Sequence, residues 1–290
     1  MNVGIDTAVR WKLVAATTRN RRLRGQFVSG HIKLSRLVSF FHAWITGEMT
    51  AEFVALARSL ERRDRLSPEE RSLIEQLPAR KRRFDSGDEL VVEHSEPSES
   101  CLILTGIVAR AQFLPDGKRQ LTAVHIAGDF VDLHALLLKL MDHSVVALTP
   151  CDAAFVPHSS LIAAFEASPH LGRLFWLSTV IDGAIERAWV TSLGRRSASV
   201  HLAHLICELF VRLETVGLVR GNSFDFPITQ TDISDMIGLS LVHTNRTIQD
   251  LRSSGLITWE RKVVTIPDQQ RLRDFAEFDP TYLNLINRPR

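Results

Sequence analysis

The sequence predicts an α+β fold: an antiparallel β-roll or barrel, then a long helix, then a C-terminal winged helix-turn-helix. Three observations carry this prediction. Between Lys81 and Pro157 the apolar runs are short and separated by Gly-centred turns. From Ser168 to Leu193 apolar residues recur every three or four positions. Further on, two short apolar-faced helices meet at Gly238 and are followed by an alternating hairpin. With 290 residues, 45% of them hydrophobic and 23% charged, the chain has material for more than one packed unit.

At the N-terminus the net charge of +2 hides an asymmetry. Residues 1 to 48 hold eight Lys or Arg against Asp6 and Glu48, a balance of +6 that leaves −4 for residues 49 to 290. The stretch "RNRRLRG" reads as a basic arm for nucleic acid or as an Arg-rich targeting segment. It also reads as sequence outside the functional protein, because Met49 opens the amphipathic "MTAEFVALARSLERRDRL". No apolar core of roughly 7 to 15 residues leads to a small-residue cleavage site, which argues against a secretory signal. The nearest candidate for a membrane span, Leu133 to Met141, is short and broken by His134 and Lys139. Cys101, Cys151 and Cys207 are far apart, which argues against a disulfide framework and for a reducing cytoplasm.

Ser67, Pro68, Glu69 and Glu70 form a helix start: cap, first helical position and acidic first turn. The runs "ELVVEH", "SCLILTGIVARAQFL", "RQLTAVHIAG", "SVVALTP" and "DAAFVP" then predict strands, with "PDGK" the clearest hairpin turn. In the long helix, Leu174, Leu177, Ile181, Ile185 and Ala188 form a stripe suited to a partner helix; burial against the chain's own barrel is the plain alternative. Ala198 to Glu214 predicts a further helix with Leu202, Leu205, Ile206, Leu209 and Leu213 on one side, broken by "VGLVRGNSFDFP". The domain organisation expected is an extension at 1–48, a roll with N-terminal helices at 49–167, a dimerisation helix at 168–195 and a DNA-binding unit at 196–290.

Thr229 lies three residues before Asp232, a capping box with Asp in place of Glu, and starts a helix with inner face Ile233, Met236 and Ile237. Gly238 ends it, since glycine takes a left-handed turn without steric cost. Ser240 caps a second helix with inner residues Thr244, Ile248 and Leu251. Two such helices make a helix-turn-helix, and "GLITWERKVVTI", turning near Glu260, Arg261 and Lys262, makes a two-stranded wing. The outer face of the second helix carries Val242, His243, Asn245, Arg246, Gln249 and Arg252. Arg donates two bonds to guanine, Asn or Gln pairs with adenine, and so this face suits a major groove. With Thr229, Ser240 and Lys262 these are the candidate DNA-binding residues. Residues 228 to 266 hold four basic and four acidic residues, so spacing and wing, rather than charge, point to DNA.

"ITQTDISDMIGLSLVHTNRTIQDLRSSGLI" resembles the winged helix-turn-helix of the Crp/Fnr family of bacterial transcription regulators, over roughly residues 65 to 270. The resemblance implies a cyclic-nucleotide-binding-type β-roll sensor, a long dimerisation helix and a homodimer on a palindromic promoter site. It implies double-stranded DNA, a second copy of the chain, RNA polymerase and an unidentified small-molecule effector as partners, with no membrane. Where well-known members carry a base-reading glutamate four residues before the arginine, Val242 stands before Arg246, so the operator should differ and Val242 faces a thymine methyl. Where cyclic-nucleotide binders have a glycine-glutamate pair and an arginine-serine pair, this chain has Asp132 with Leu133 and His143 with Ser144. A neutral imidazole is a poor substitute for a guanidinium at a phosphate, so cyclic AMP in the usual mode is not expected. Gly128, Asp129, Asp132, His143 and Ser144 are the candidate ligand-pocket residues. The family's four-cysteine iron–sulfur arrangement is missing, and His125, His134 and His143 have an ordinary reading as surface or hydrogen-bonded roll residues. No cofactor or metal is expected.

No nucleophile with its base and no carboxylate cluster has local motif support, so an enzyme is not expected. The alternative to a DNA-binding regulator is a cyclic-nucleotide-type sensor acting through protein partners. Retention on DNA that falls steeply with salt separates the two.

Overall fold

The computed structural model describes residues 53–290. The basic extension at 1–48, and the choice between its readings, lies outside the described residues. Helix α1 (Val54–Glu61) buries Leu56, Ala57 and Leu60, and helix α2 (Pro68–Glu75) has the expected start. Ser67 Oγ accepts from the Glu70 backbone at 3.2 Å, and the Glu70 carboxylate accepts from the Ser67 backbone at 2.8 Å. This reciprocal cap satisfies two of the donors that a helix N-terminus leaves open.

Seven strands follow: β1 (Arg80–Phe84), β2 (Glu89–Val91), β3 (Glu99–Thr105), β4 (Val108–Phe113), β5 (Arg119–His125), β6 (Ser144–Ala147) and β7 (Cys151–Pro157). They pair antiparallel as two sheets, ordered β1-β7-β3 and β2-β6-β4-β5. Between the sheets lies an apolar interior that includes Phe84, Leu90, Cys101, Ile103, Val108, Met141 and Val145. The predicted hairpin joins β4 to β5: Leu114 N–H donates to Lys118 O at 2.8 Å, and Gly117 takes φ +83°. Strand β1, "RKRRF", was not among the expected strands, because its first four residues are exposed and show no apolar alternation. Its state is set across the sheet, where it pairs with β7 and lays the Arg80 and Arg82 guanidiniums 5.2 and 5.6 Å from the Phe155 ring centre. An arginine-rich edge also discourages pairing with another chain.

A short helix α3 (Ala135–Leu138) interrupts the roll, and α4 (His158–Ala167) leads to the long helix α5 (Pro169–Arg195). Ser168 caps α5 by accepting from Leu171 N–H at 3.1 Å and ties it to α2 by donating to Glu70 at 2.7 Å. Helix α5 corrects the expected dimer stripe. Leu174, Ile181 and Ile185 are buried within the chain itself, and Ile181 and Ile185 share one core with Ala109, Leu121 and Val124 of the roll's outer face and with helix α6 (Ala198–Val216). Residues already covered by their own fold have no surface left for a second chain. Leu177 and Ala188 are only partly covered. The exposed apolar side chains of α5 are Trp176 (70%), Val180 (48%), Val190 (69%) and Leu193 (45%).

Beyond α6 come β8 (Val219–Arg220), β9 (Ser223–Asp225), α7 (Gln230–Ile237), α8 (Leu241–Ser253), β10 (Thr258–Glu260), β11 (Val263–Thr265), α9 (Gln269–Phe275) and a 3-10 turn (Pro280–Leu283). The wing has four strands rather than two, in the order β10-β11-β9-β8. "VRGNSFD", expected only to break a helix, forms the second hairpin and buries Phe224 against Val264 across the β9–β11 pair. The C-terminal residues return to α1: Asn287 donates to Glu61 O at 2.8 Å and the Arg288 N–H to Arg63 O at 3.0 Å. Among the described residues, no helix is long and apolar enough to cross a membrane.

Candidate nucleic-acid interface and the roll

The helix-turn-helix is built by local chemistry and held by burial. Thr229 Oγ1 accepts from Asp232 N–H at 3.1 Å, and Asp232 Oδ2 accepts from Thr229 N–H at 3.0 Å. The Thr229 hydroxyl also donates to Asp232 at 2.6 Å, so it is committed within the chain both as donor and as acceptor. Gly238 ends α7 at φ +67°, and a Cβ there would lie 3.2 Å from Leu193 Cδ2 on α5. Ser240 caps α8, accepting from His243 N–H at 3.3 Å. Thr244, Ile248 and Leu251 are buried beneath α8, as Ile233, Met236 and Ile237 are beneath α7.

This packing leaves Val242, His243, Arg246, Gln249 and Arg252 exposed on the outer face, with Asn245 half-buried at its edge. Val242 is 82% exposed, an apolar side chain that little among the described residues covers. Among the described residues Arg246 has no ion-pair or hydrogen-bond partner, whereas Arg252 leans on Gln249 Oε1 at 3.4 Å. Lys262 is exposed beside Arg261, which takes φ +57° in the wing turn. The fold therefore presents two guanidiniums, two amides, one imidazole and an apolar contact on one rigid helix, with the wing's cations alongside. Apart from the contact between Arg252 and Gln249, that set can donate to base edges and phosphates without first breaking internal bonds.

The five pocket candidates on the roll do not converge on one space. Gly128, at φ +93°, lies so close to α1 that a Cβ would meet the Ala55 carbonyl carbon at 2.7 Å. Asp129 pairs with Arg212 of α6 at 2.8 Å. Asp132 is buried, accepts from Cys101 N–H at 2.7 Å, and is pushed up to about 7 by burial. Ser144 Oγ accepts from Glu93 N–H at 3.1 Å. His143 accepts from Arg110 Nε at 3.0 Å through Nε2 and bonds Asp142 through Nδ1 at 2.7 Å. Burial, and then the Arg110 cation, hold it neutral by lowering it to about 4, against the pull of Asp142. His134, Asp142 and His143 bring ligand-type atoms within 4.8 Å of one another, but both ring nitrogens of His143 are engaged in this arrangement. These side chains do not fit a cyclic phosphate: the two guanidiniums beside them, Arg110 and Arg212, are both turned to carboxylates.

Those carboxylates lie on α5. Arg110 pairs with Asp182 at 2.5 Å and with Glu186, tying the roll interior to the long helix. A second tie joins the roll to the helix-turn-helix. Arg119 donates to Asp235 at 2.9 Å and to Asp232 at 2.6 Å, and the Gln120 amide donates to the Asp235 carbonyl at 2.7 Å. Sequence reading missed both. Arg110 had one signal, since it shares the inward alternation of β4 with Val108; Arg119 had none, because its partners lie more than a hundred positions away.

Residues 81–168 match the family described as the cyclic nucleotide-binding domain, and residues 200–275 the Crp-like helix-turn-helix domain. A probable transcriptional activator of Rhizobium leguminosarum bv. viciae is 26% identical over 193 residues, 66% of this chain and 79% of its own. The transcriptional activator protein FnrL of Cereibacter sphaeroides is 25% identical over 219 residues, 74% of this chain and 87% of its own. Among solved structures, FixK2 from Bradyrhizobium japonicum superposes with a TM-score of 0.62 at 23% identity, covering 69% of this chain and 98% of that one, a likeness of fold.

Proposed function

From the premise that this chain is a Crp/Fnr-type transcriptional regulator, with a cyclic-nucleotide-binding-type roll and a DNA-binding helix-turn-helix, we propose that it binds a palindromic promoter site as a homodimer. Two copies of α8 related by a dyad enter successive major grooves about 34 Å apart. The observation that carries this is the outward row of α8, in which Val242 is 82% exposed and Arg246 has no ion-pair or hydrogen-bond partner among the described residues. Arg246 reads a guanine through O6 and N7, Val242 meets a thymine methyl, and Asn245 and Gln249 serve adenine edges. His243, Ser240, Arg252 and Lys262 take phosphates and set register, and Thr229 acts as the cap that holds α7.

Dimerisation uses the exposed row of α5. Trp176, Val180, Gly183, Arg187 and Val190 recur at steps of four and three, the spacing of a two-helix seam. Regulation is a population shift: whatever alters the Arg110 or Arg119 tie alters how the helix-turn-helix is set against the roll, and with it the fit to half-site spacing. The effector is a small molecule other than a conventionally bound cyclic nucleotide. RNA polymerase is the downstream partner, in the cytoplasm.

Selection of duplexes from a random pool by the full chain, at two salt concentrations and beside Arg246→Ala, tests the reading. The expected outcome is a palindrome whose retention falls steeply with salt. The variant should lose one base preference, a loss of about 1–3 kcal/mol. Enrichment of no sequence by either protein would overturn it.

A further inference from the structure

Arg187 is the odd member of the exposed row on α5. It sets a permanent cation among Trp176, Val180, Gly183 and Val190, on the face assigned above to a two-helix seam. Its guanidinium has no ion-pair or hydrogen-bond partner among the described residues. It lies back along the helix over Gly183, where a Cβ would come within 3.4 Å of Nη1. Glycine inside a helix is costly, and here it leaves room in the seam for that guanidinium.

A matching charge lies on the neighbouring flank of the same helix. Arg110 of β4 pairs with both Asp182 and Glu186, so one guanidinium meets two carboxylates and negative charge is left over at that junction. Glu186 is the more exposed of the two, 40% against 23%. Within one chain Arg187 does not face it, because adjacent positions on a helix point in different directions.

A second chain changes this. Steps of four and three give the row a coiled-coil register, with Val180 and Arg187 at a positions, Trp176, Gly183 and Val190 at d positions, and Glu186 at g. In a parallel pair an a side chain enters a hole made by the preceding d and g residues and by the a and d residues of its own layer on the facing helix. For Arg187 these are Gly183, Glu186, Arg187 and Val190 of the partner subunit. In an antiparallel pair centred on Gly183, Arg187 would instead lie opposite Thr179 and Val180 of the partner subunit, with no carboxylate to meet. We propose that Arg187 of each protomer pairs with Glu186 of the partner subunit, two salt bridges across the dyad that fix α5 as a parallel, in-register dimer. A charged residue at one a position selects register and orientation in this way, because a mispaired helix would bury the cation alone. Since Glu186 also holds Arg110, each roll is tied through it to the other chain. The pairing rests on the homodimer reading above and names the residues that orient it.

The test is sedimentation of the full chain, without DNA, as wild type, Arg187→Glu, Glu186→Arg and the double swap, with circular dichroism confirming that each is folded. In the Glu186→Arg proteins Asp182 still holds Arg110. Each single reversal sets like charges against each other across the seam and should weaken dimerisation by about tenfold or more. The double swap should restore most of it. A second measurement needs no charge change: Val180→Cys and Val190→Cys, made separately, should each cross-link to its own copy under oxidant, since the native cysteines are buried. In an antiparallel pair only one level meets its own copy, so failure of either to cross-link in a dimer would overturn the proposal. A dimer unmoved by Arg187→Glu, or weakened by it and not restored by the swap, would overturn the pairing and leave the homodimer standing. Wild type that sediments as a monomer at every concentration would sink the homodimer and the pairing with it.

Discussion

His170 shows how one side chain ties distant segments together through its charge. Its Nδ1 lies 2.7 Å from Glu70 Oε1 and its Nε2 3.1 Å from Asp64 Oδ2, so both nitrogens can donate only as imidazolium. Burial opposes that charge, but the hydrogen bonds His170 donates to Asp64 and Glu70 outweigh it and raise the His170 pKa. A raised folded pKa gives stability that is full below the unfolded value of about 6.5 and is lost as pH rises through the folded one. His170→Gln should therefore cost more stability near pH 6 than near pH 8, checked by thermal unfolding of both proteins at the two values. His125, His143, His201 and His204 act in the opposite sense, since burial lowers each to about 4 and acid must charge them. The difference between wild type and variant isolates His170 from that background. None of this was legible beforehand, because both carboxylates sit about a hundred positions away.

At the scale of elements, whatever depends on neighbours within one turn was legible. Ser67 with Glu70, Thr229 with Asp232, and Ser240 each cap where their spacing predicts. Gly238 is the sharpest case. Gly238→Ala should destabilise the chain by about 1–2 kcal/mol, the cost of a Cβ in the left-handed region, with the close approach to Leu193 adding to it. Denaturant unfolding measures this; an unchanged midpoint would mean that the turn between α7 and α8 tolerates the strain. Strand β1 is the counterexample. Arg80 to Arg83 carry no apolar alternation, and their extended form is set by pairing with β7 and by contacts with Phe155 and Glu99 on neighbouring strands.

For the whole molecule, the two faces of α5 make separable predictions. Leu174 is buried in the chain's own core, so Leu174→Ala should cost roughly 2–5 kcal/mol of stability. Val180 is 48% exposed on the opposite side, so Val180→Glu should leave unfolding of the single chain nearly unchanged. Sedimentation should instead find that variant shifted from dimer to monomer, with weaker duplex binding. A Val180→Glu protein that sediments like wild type would remove this seam as the dimer interface. The stripe was visible as periodicity, but periodicity says only that a helix has two faces. Which face turns inward depends on the roll and α6.

By itself the sequence determined the order of the parts, the caps and turns of the helix-turn-helix and the side chains offered on its outer face. Those features arise from hydrogen bonds and steric limits among residues a few positions apart. Only the tertiary structure decided which face of α5 is covered, that Arg110 and Arg119 tie the roll to α5 and α7, and that the wing has four strands. Each of these is a meeting of residues distant in the chain, where burial removes water and leaves a charge or donor to find whatever partner the packing brings.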